Sequence, residues 1–339
     1  MAAQTRVTID DVARASGVSR QTVSNVVRGT GRVGSDTAER VRAVIDQLGY
    51  AVHPGARSLR SLRTGQLAFP LDAYVEGREE VFNLDFGREL TFAAGKRGYH
   101  VLLMVPDLDA MRELIRSSRV DGFVFSNLRR HDERVALVTE FGTPFACMGR
   151  TEPDQRQPWV DVDNAAGVRM AVEHVAARGH RRITYLGCEP LNYWDSEREN
   201  AYHSTMAQLG LPATAFISVN EPSSIAGAAA EALSTETPPT AIVCSGDTVA
   251  ESVYEVATER GLAIGRDLAV TGFGHDVIGR NMVPSLTTVR MPIPTIVERV
   301  MRRFVREVAR EPDAPGELIV PELIVGASTG SGPAEALTD

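Results

Sequence analysis

The stretch Thr8–Arg28, TIDDVARASGVSRQTVSNVVR, constrains this chain more than any other. Thr8 can cap a helix, because its hydroxyl accepts a hydrogen bond from an otherwise unpaired amide of the first turn. Gly17 marks the end of that helix, since glycine adopts the left-handed backbone conformation without steric cost. Ser19 can then cap a second helix over residues 20–27. Two short helices across a glycine-containing turn form a helix-turn-helix.

The polar side of the second helix is typical of a protein that reads DNA bases. The first turn of such a helix enters the major groove, where arginine donates two hydrogen bonds to guanine and glutamine or asparagine pairs with adenine. An ordinary helical hairpin with a solvated polar face has a similar pattern, so the context has to decide. The DNA-contacting residues that we predict here are Thr8, Ser19, Arg20, Gln21, Thr22, Ser24, Asn25 and Arg28.

The context is a resemblance to a known family. Residues 7–63 resemble the DNA-binding headpiece of the lactose-repressor (LacI/GalR-type) family of bacterial transcription regulators. The matching segments are VTIDDVARASGVSRQTVSNVV, the third-helix segment SDTAERVRAVIDQLGY, and HPGARSLR. The resemblance continues at WVDVDNAAGVRMAVEHVAARGHRRITYLG and covers nearly the whole chain. It implies a homodimeric regulator, normally a repressor, that binds palindromic double-stranded operator DNA and responds to a small-molecule effector.

Residues 53–63 link the headpiece to the rest of the chain. From the residues alone, this segment is an arginine-rich flexible tether. The resemblance implies instead a hinge helix that orders on operator DNA, enters the minor groove beside its copy from the partner, and wedges a leucine into a base step. By position that leucine is Leu59, and Ala56 lies against the partner helix. Arg57 and Arg60 then face phosphates, where they add affinity but little sequence choice.

The distribution of charge divides the chain into two parts. Residues 1–63 hold ten Arg and five acidic residues, whereas the remaining 276 residues hold 26 basic and 39 acidic ones. A basic front part on an acidic body is expected of a DNA-binding protein whose larger part binds something else. We therefore predict a headpiece over 1–52, a hinge over 53–64 and an effector-binding and dimerisation core over 65–339.

Short apolar strands alternate with helices through the core, which is typical of parallel sheets covered by helices. These strands and helices form two successive series of similar length, which predict two similar lobes. The resemblance implies a type I periplasmic-binding-protein-like α/β core behind the all-α headpiece. The first lobe is predicted over about 65–162 and 291–320, and the second over about 163–290 and 321–330. Open α/β sheets bind ligands beyond the carboxyl ends of their strands, so the cleft between the lobes is the expected effector site.

Several side chains near these strand ends are candidates for binding a sugar-like effector. Arg198 aligns with the family arginine that reaches into the cleft, the alternative being a solvated helix arginine. Asp247 either accepts ligand hydroxyls or caps the helix that it opens. Many sugar-responsive members of the family carry an acidic pair after the last strand of the second lobe, and the first residue of that pair is Gly274 here. Either Asp276 or His275 accepts the ligand hydroxyls instead, or the ligand differs. The full set is Arg198, Asp247, Trp194, Tyr193, Asp276, His275, Ser126 and Asp72.

Other protein classes are less well supported. Cys147, Cys188 and Cys244 are far apart and form no C-x-x-C, so we predict neither a disulfide framework nor a metal site. The chain has no hydrolase elbow, Walker loop, metalloprotease motif or dinucleotide fingerprint, which argues against an enzyme and predicts no cofactor. A solute-binding protein of a sugar transport system remains the alternative. We expect a cytoplasmic protein without a membrane partner, because we find no signal core and no apolar run of roughly 20 residues.

Overall fold

The computed structural model describes residues 7–28, 30–50, 63–71, 74–75, 78–79, 81–152, 157–274, 277–312 and 314–330. The chain divides into two compact units, Met1–Thr64 and Gly65–Asp339. Some of the predicted functional residues lie outside the described residues, namely Ala56, Arg57, Leu59, Arg60, Asp72, His275 and Asp276.

The first unit contains three helices, α1 (Ile9–Ser16), α2 (Arg20–Arg28) and α3 (Ser35–Leu48). Thr8 caps α1 as predicted, because its hydroxyl accepts from the Asp11 amide at 3.3 Å and the Asp11 carboxylate accepts from the Thr8 amide at 2.9 Å. Gly17 ends α1 with a φ of 66°. The three helices are joined by a small apolar core around three fully buried valines, one from each helix: Val12, Val23 and Val41.

The second unit contains two six-stranded sheets, and the first of them forms the first lobe. Its strands are all parallel and lie in the spatial order β13-β7-β6-β5-β1-β4. They are β1 (Gln66–Pro70), β4 (His100–Met104), β5 (Phe123–Phe125), β6 (Phe145–Met148), β7 (Trp159–Val162) and β13 (Glu317–Ile319). The two short strands β2 (Tyr74–Val75) and β3 (Arg78–Glu79) pair separately. One face packs against α4 (Val81–Gly95) and α12 (Ile293–Val308), and the other against α5 (Leu108–Arg116) and α6 (Glu133–Glu140).

The second sheet forms the second lobe, in the order β14-β12-β11-β10-β8-β9. Its strands are β8 (Ile183–Cys188), β9 (Thr214–Ser218), β10 (Ala241–Cys244), β11 (Ala269–Gly274), β12 (Thr287–Arg290) and β14 (Glu322–Ile324), of which only β14 pairs antiparallel with its neighbour. One face packs against α7 (Asn164–Ala177) and α8 (Tyr193–Gln208), the other against α9 (Pro222–Ala232) and α10 (Asp247–Glu259). The short α11 (Val277–Asn281) follows β11.

The chain passes between the lobes three times, after β7, after β12 and after β13. The Asp163 amide donates to the Ile319 carbonyl at 2.9 Å, which ties the first crossing to the third. The predicted helix-turn-helix with a two-lobed α/β core is thereby confirmed. Within the described part of the chain, no helix has both the length and the apolar character that a bilayer crossing requires.

Gly122 lies where the first sheet leaves no room for a side chain. A Cβ at this position would lie 2.1 Å from the Pro144 carbonyl oxygen and 2.9 Å from the Phe304 ring. Because the Phe123 amide already bonds that oxygen at 3.0 Å, the backbone has little room to retreat. We expect Gly122→Ala to lower the free energy of unfolding of the core by about 1–3 kcal/mol, measured by chemical denaturation.

Gly227 provides the matched control. It lies inside α9, where an added Cβ meets nothing within 4 Å. Gly227→Ala should leave the free energy of unfolding unchanged or raise it by up to about 1 kcal/mol, because alanine is the better helix former. Equal stability of the two variants would contradict the close approach at Gly122.

Candidate DNA-binding surface and effector site

Two amide side chains of α2 are hydrogen-bonded to each other. The Gln21 amide nitrogen Nε2 donates to Oδ1 of Asn25, one turn later, at 3.1 Å. Ser19 caps the helix, since its hydroxyl accepts from the Thr22 amide at 3.1 Å. Gln21 is exposed and Asn25 is half-buried. The structure therefore brings the two amides together on one side of α2, and Val23 faces the opposite way into the core.

The other predicted DNA-contacting residues have different surroundings. Thr8 is exposed but engaged in the cap of α1. Arg20 is exposed, and its guanidinium lies 3.8 Å from the Asp10 carboxylate, a loose pair between two solvated side chains. Ser24 is half-buried, and the side chain of Arg28 lies outside the described part of the structure. Among the side chains of α2 whose surroundings are described, the exposed polar ones lie in the first two turns.

In the second unit, the two lobes meet at the start of α8. The Arg130 amide of the first lobe donates to the Leu191 carbonyl at 3.1 Å, and its guanidinium donates to the Ser196 hydroxyl at 2.8 Å. The ring of Tyr193 lies 5.7 Å from the Arg130 guanidinium carbon and 4.9 Å from that of Arg150. Tyr193, predicted as an effector contact, is therefore in contact with two arginines of the first lobe.

Arg198, one turn further along α8, is buried with 6% of its surface exposed, so it is not a solvated helix arginine. Its Nε donates to Asn164 Oδ1 at 2.9 Å and its Nη1 donates to the Ser245 carbonyl at 2.6 Å. The guanidinium carbon lies 3.6 Å from the ring centre of Phe273 and 4.3 Å from that of Trp194. Burial lowers the pKa of Arg198, and neighbouring acidic groups oppose that shift.

Two buried carboxyl groups and a second arginine lie beside Arg198, and the sequence predictions missed all three. Arg150 hydrogen-bonds Glu197 through Nη2, and its Nε lies 3.5 Å from Oδ2 of Asp161. Burial raises the pKa of Asp161 to about 7, with the Glu197 charge acting in the same direction. Burial likewise raises the pKa of Asp195 to about 7. The available signal was an acidic residue inside an otherwise apolar strand, WVDV.

Asp247 and Ser126, both predicted effector contacts, are packed inside their own lobes. Asp247 is 1% exposed and accepts from the Thr288 hydroxyl at 2.6 Å. Gly246 is the N-cap of α10, so Asp247 follows the cap rather than providing it. Ser126 is buried and donates to Oδ1 of Asn83 at 2.7 Å. Both side chains are thus buried, and each has a hydrogen bond inside its own lobe.

A cavity of about 250 Å³ lies at another part of the contact between the lobes. Gly274 lines it and has a φ of 134°, a conformation that an aspartate would adopt only with strain. The backbone thus explains the glycine at this position. The other lining residues are Asp85, Arg88, Glu89, Arg280, Arg290, Met291, Ile293 and Pro294.

The described residues include no cluster of three or more His, Cys, Asp or Glu side chains that could hold a metal ion. Cys147 and Cys244 are buried free thiols, and burial raises the pKa of both. A thiol with a raised pKa is a poor nucleophile near neutral pH. The side chains at the lobe contact are guanidinium groups, carboxylates and aromatic rings, which suit hydrogen bonding and stacking to a ligand.

Comparisons with known proteins identify both parts of the chain. Residues 8–52 match bacterial regulatory proteins of the lacI family, and residues 172–329 match the periplasmic binding protein-like domain. A helix-turn-helix transcriptional regulator from the aml 5′ region of Streptomyces limosus is 31% identical over 335 residues, covering 94% of this chain and 93% of the relative.

Solved structures agree with these matches. A regulatory protein of the LacI family from Chloroflexus aggregans has a TM-score of 0.73 and 32% identity, covering 78% of this chain and 99% of that one. The lac repressor dimer bound to operator and the anti-inducer ONPF has a TM-score of 0.82, with 96% and 100% coverage, and at 21% identity it shows the fold alone.

These relatives are transcriptional regulators, which confirms the prediction of a regulator rather than an enzyme and does not favour a transport protein. The capped helix-turn-helix and the two-lobed core are the two parts that such regulators combine. The chain belongs to the LacI family of bacterial regulatory proteins.

Proposed function

We propose that this protein is a cytoplasmic repressor that binds a palindromic operator as a homodimer and is controlled by a sugar or sugar derivative between its lobes. The observation that carries the DNA-binding part is the hydrogen-bonded Gln21–Asn25 amide pair, with Gln21 exposed, on a capped recognition helix. The net positive charge of residues 1–63 supports the same partner. The lac repressor dimer, seen bound to operator and an anti-inducer, supports the combination by analogy of fold.

Base recognition follows from the chemistry of α2. The Gln21 and Asn25 amides each have a donor and an acceptor, which is the pattern that the major-groove edge of adenine pairs with. Their mutual hydrogen bond fixes the two amides relative to each other before DNA is met. Arg20, exposed at the helix start, has the donor pair that suits guanine. Thr8, Ser19, Thr22, Ser24 and Arg28 complete the proposed contact set, mainly toward the phosphates.

The proposed hinge adds a second contact, in the minor groove. Leu59 wedges the central base step and Ala56 packs against the partner's copy, so that two chains are needed for one operator. Inserting an apolar side chain costs unstacking energy but gives a bent duplex that meets more protein. Arg57 and Arg60 neutralise phosphates, which makes the affinity depend on salt. A symmetric protein of this kind requires a palindromic site.

The effector site is proposed around Arg198. Its Nε and Nη1 are hydrogen-bonded within the protein, and no described residue accepts from its Nη2. This nitrogen is therefore available to a ligand hydroxyl, beside the aromatic ring of Trp194, which suits the apolar face of a sugar. Ligand binding changes the operator affinity only to the extent that it favours one arrangement of the lobes over the other. Tyr193, His275, Asp276, Asp72, Ser126 and Asp247 remain proposed contributors at or behind this site.

Operator binding separates base contacts from phosphate contacts. Gln21→Ala should relax the preference at one base pair in each half-site by about 1–3 kcal/mol, whereas Arg60→Ala should weaken binding to all sequences and lower the salt slope by about one. Fluorescence anisotropy against a palindrome from the protein's own upstream DNA, its single-base variants and a salt series measures both effects.

Gln47→Ala is the matched control, because Gln47 is an exposed glutamine of the same headpiece on α3. It should leave affinity and preference unchanged. Uniform loss of affinity in both the Gln21 and Arg60 variants would contradict the division of roles, and a monomer without any preference for the palindrome would contradict the proposed function.

Effector binding is tested by replacing Arg198. A thermal-shift screen of neutral sugars, sugar phosphates and purines should yield a compound that raises the melting temperature, because a ligand bound only by the folded state stabilises it. Arg198→Met should weaken the binding of that compound by about 10- to 100-fold, the contribution of a charge-assisted hydrogen bond. An equal temperature shift in wild type and variant would remove Arg198 from the site.

A further inference from the structure

Arg150 connects the two lobes more closely than its position in the sequence indicates. It follows β6 in the first lobe, and its guanidinium is covered by the rings of Trp159, at 4.6 Å, and Tyr193, at 4.9 Å. Its side chain is 11% exposed and bonds a carboxylate of the second lobe, Glu197, through Nη2. Its Nε is buried without a hydrogen-bond partner among the described residues, so the bond to Glu197 is the contact that compensates for burying the guanidinium.

From Glu197 a chain of hydrogen bonds leads to Arg198. The second oxygen of Glu197, Oε2, accepts from Nδ2 of Asn164 at 3.2 Å, and Oδ1 of Asn164 accepts from Nε of Arg198 at 2.9 Å. An asparagine amide has a donor side and an acceptor side. Because Glu197 takes the donor side, the acceptor side is presented to Arg198. The order Arg150, Glu197, Asn164, Arg198 is therefore directional.

We propose that Arg150 is a positioning residue of the effector site, which holds Glu197 so that Asn164 orients Arg198 and thereby couples effector binding to the position of the first lobe. This inference rests on the effector role proposed for Arg198. A ligand that binds the oriented guanidinium also favours the lobe arrangement in which Arg150 reaches Glu197. Differential affinity of this kind is what a ligand needs in order to shift a conformational equilibrium.

Asp161 competes with Glu197 for Arg150. It belongs to the first lobe, and within the described part of the chain its buried Oδ2 accepts no hydrogen bond, although Nε of Arg150 lies 3.5 Å away. The charged groups that face it are Arg150 beside β6 and Glu197 and Arg198 on α8. As the pH rises through about 7, Asp161 loses its proton and draws Arg150 toward its own sheet. Protonated Asp161 leaves Arg150 to Glu197.

The two tryptophans of the protein lie at the two ends of this series of hydrogen bonds, so their fluorescence reports on both ends. Trp159 stacks on Arg150, and Trp194 stacks on Arg198 at 4.3 Å. In a Trp159→Phe background, the fluorescence of Trp194 alone measures the surroundings of Arg198. Arg150→Met should shift the Trp194 emission, although the rings that Arg150 stacks on are those of Trp159 and Tyr193. Glu197→Gln, which keeps the shape of the side chain, should shift it in the same way.

Arg97→Met is the matched control, because Arg97 bonds Glu298 within the first lobe and is also partly buried. It should leave Trp194 emission unchanged. Shifts in the Arg150 and Glu197 variants without one in the control support the proposal. Unchanged emission in both variants overturns it, and so does an equal shift in all three, which would indicate a general loosening. Circular dichroism melts check that each variant is folded.

A pH titration distinguishes orientation from simple packing. In the Trp159→Phe background, Trp194 emission should change with pH, with a midpoint near 7. Adding Asp161→Asn should remove the part of this change that comes from the titration of Asp161. In Glu197→Gln the midpoint should move to lower pH, because the Glu197 charge helps to raise the pKa of Asp161. Asp195 titrates in the same range beside Trp194, so a transition that persists unchanged in Asp161→Asn belongs to Asp195 and overturns the competition.

Effector affinity completes the test. For a compound that raises the wild-type melting temperature, Arg150→Met and Glu197→Gln should raise the dissociation constant about tenfold, a typical coupling, while Arg97→Met leaves it unchanged. Equal affinity in all variants overturns the positioning role and leaves the proposed function intact. If no compound in the panel binds wild type, the effector part of the proposed function fails, and the coupling of effector binding to Arg150 fails with it.

Discussion

The three crossings between the lobes are the constraint on which the core depends. They are short, consisting of residue 163, residues 291–292 and residues 320–321, and the first and third are tied by the Asp163–Ile319 hydrogen bond. The lobes are therefore held together along this edge, an arrangement that suits hinge-type domain closure. The contact at the start of α8 lies beside the first of these crossings, because Asp161 and Asn164, which flank it, are the neighbours of Arg150 and Glu197.

The contact at α8 is formed by charged groups rather than by an apolar surface. Arg150 and Arg198 are balanced by Glu197 and Asp161, all mostly buried. Buried ion pairs give little net stability, because desolvation offsets much of the attraction. They are, however, sensitive to geometry, since a small displacement leaves a buried charge unpaired. Such a contact favours two discrete lobe arrangements over a continuous range, which is what a regulated protein requires.

The predictions from sequence succeeded where the physics is local. The cap at Thr8 and the turn at Gly17 depend on residues within one turn of each other, and strand and helix periodicity likewise needs only neighbouring residues. The Arg150–Glu197 contact joins residues 47 positions apart, and the packing of Asp247 depends on the space beside Gly272 and Gly279. A single sequence does not show which residues so far apart meet, so the arginine contacts of Tyr193 could not be predicted.

The same division between local and long-range contacts bears on how the proposed effector acts. The Gln21–Asn25 bond and the Ser19 cap are contained within α2 and its first turn, and the valines of α2 pack in the apolar core of the headpiece. Rotation of the lobes changes none of these contacts. An effector between the lobes therefore cannot alter which bases α2 recognises. In the proposed dimer the effector alters only the relative placement of the two headpieces, and hence the affinity for a palindrome of fixed spacing.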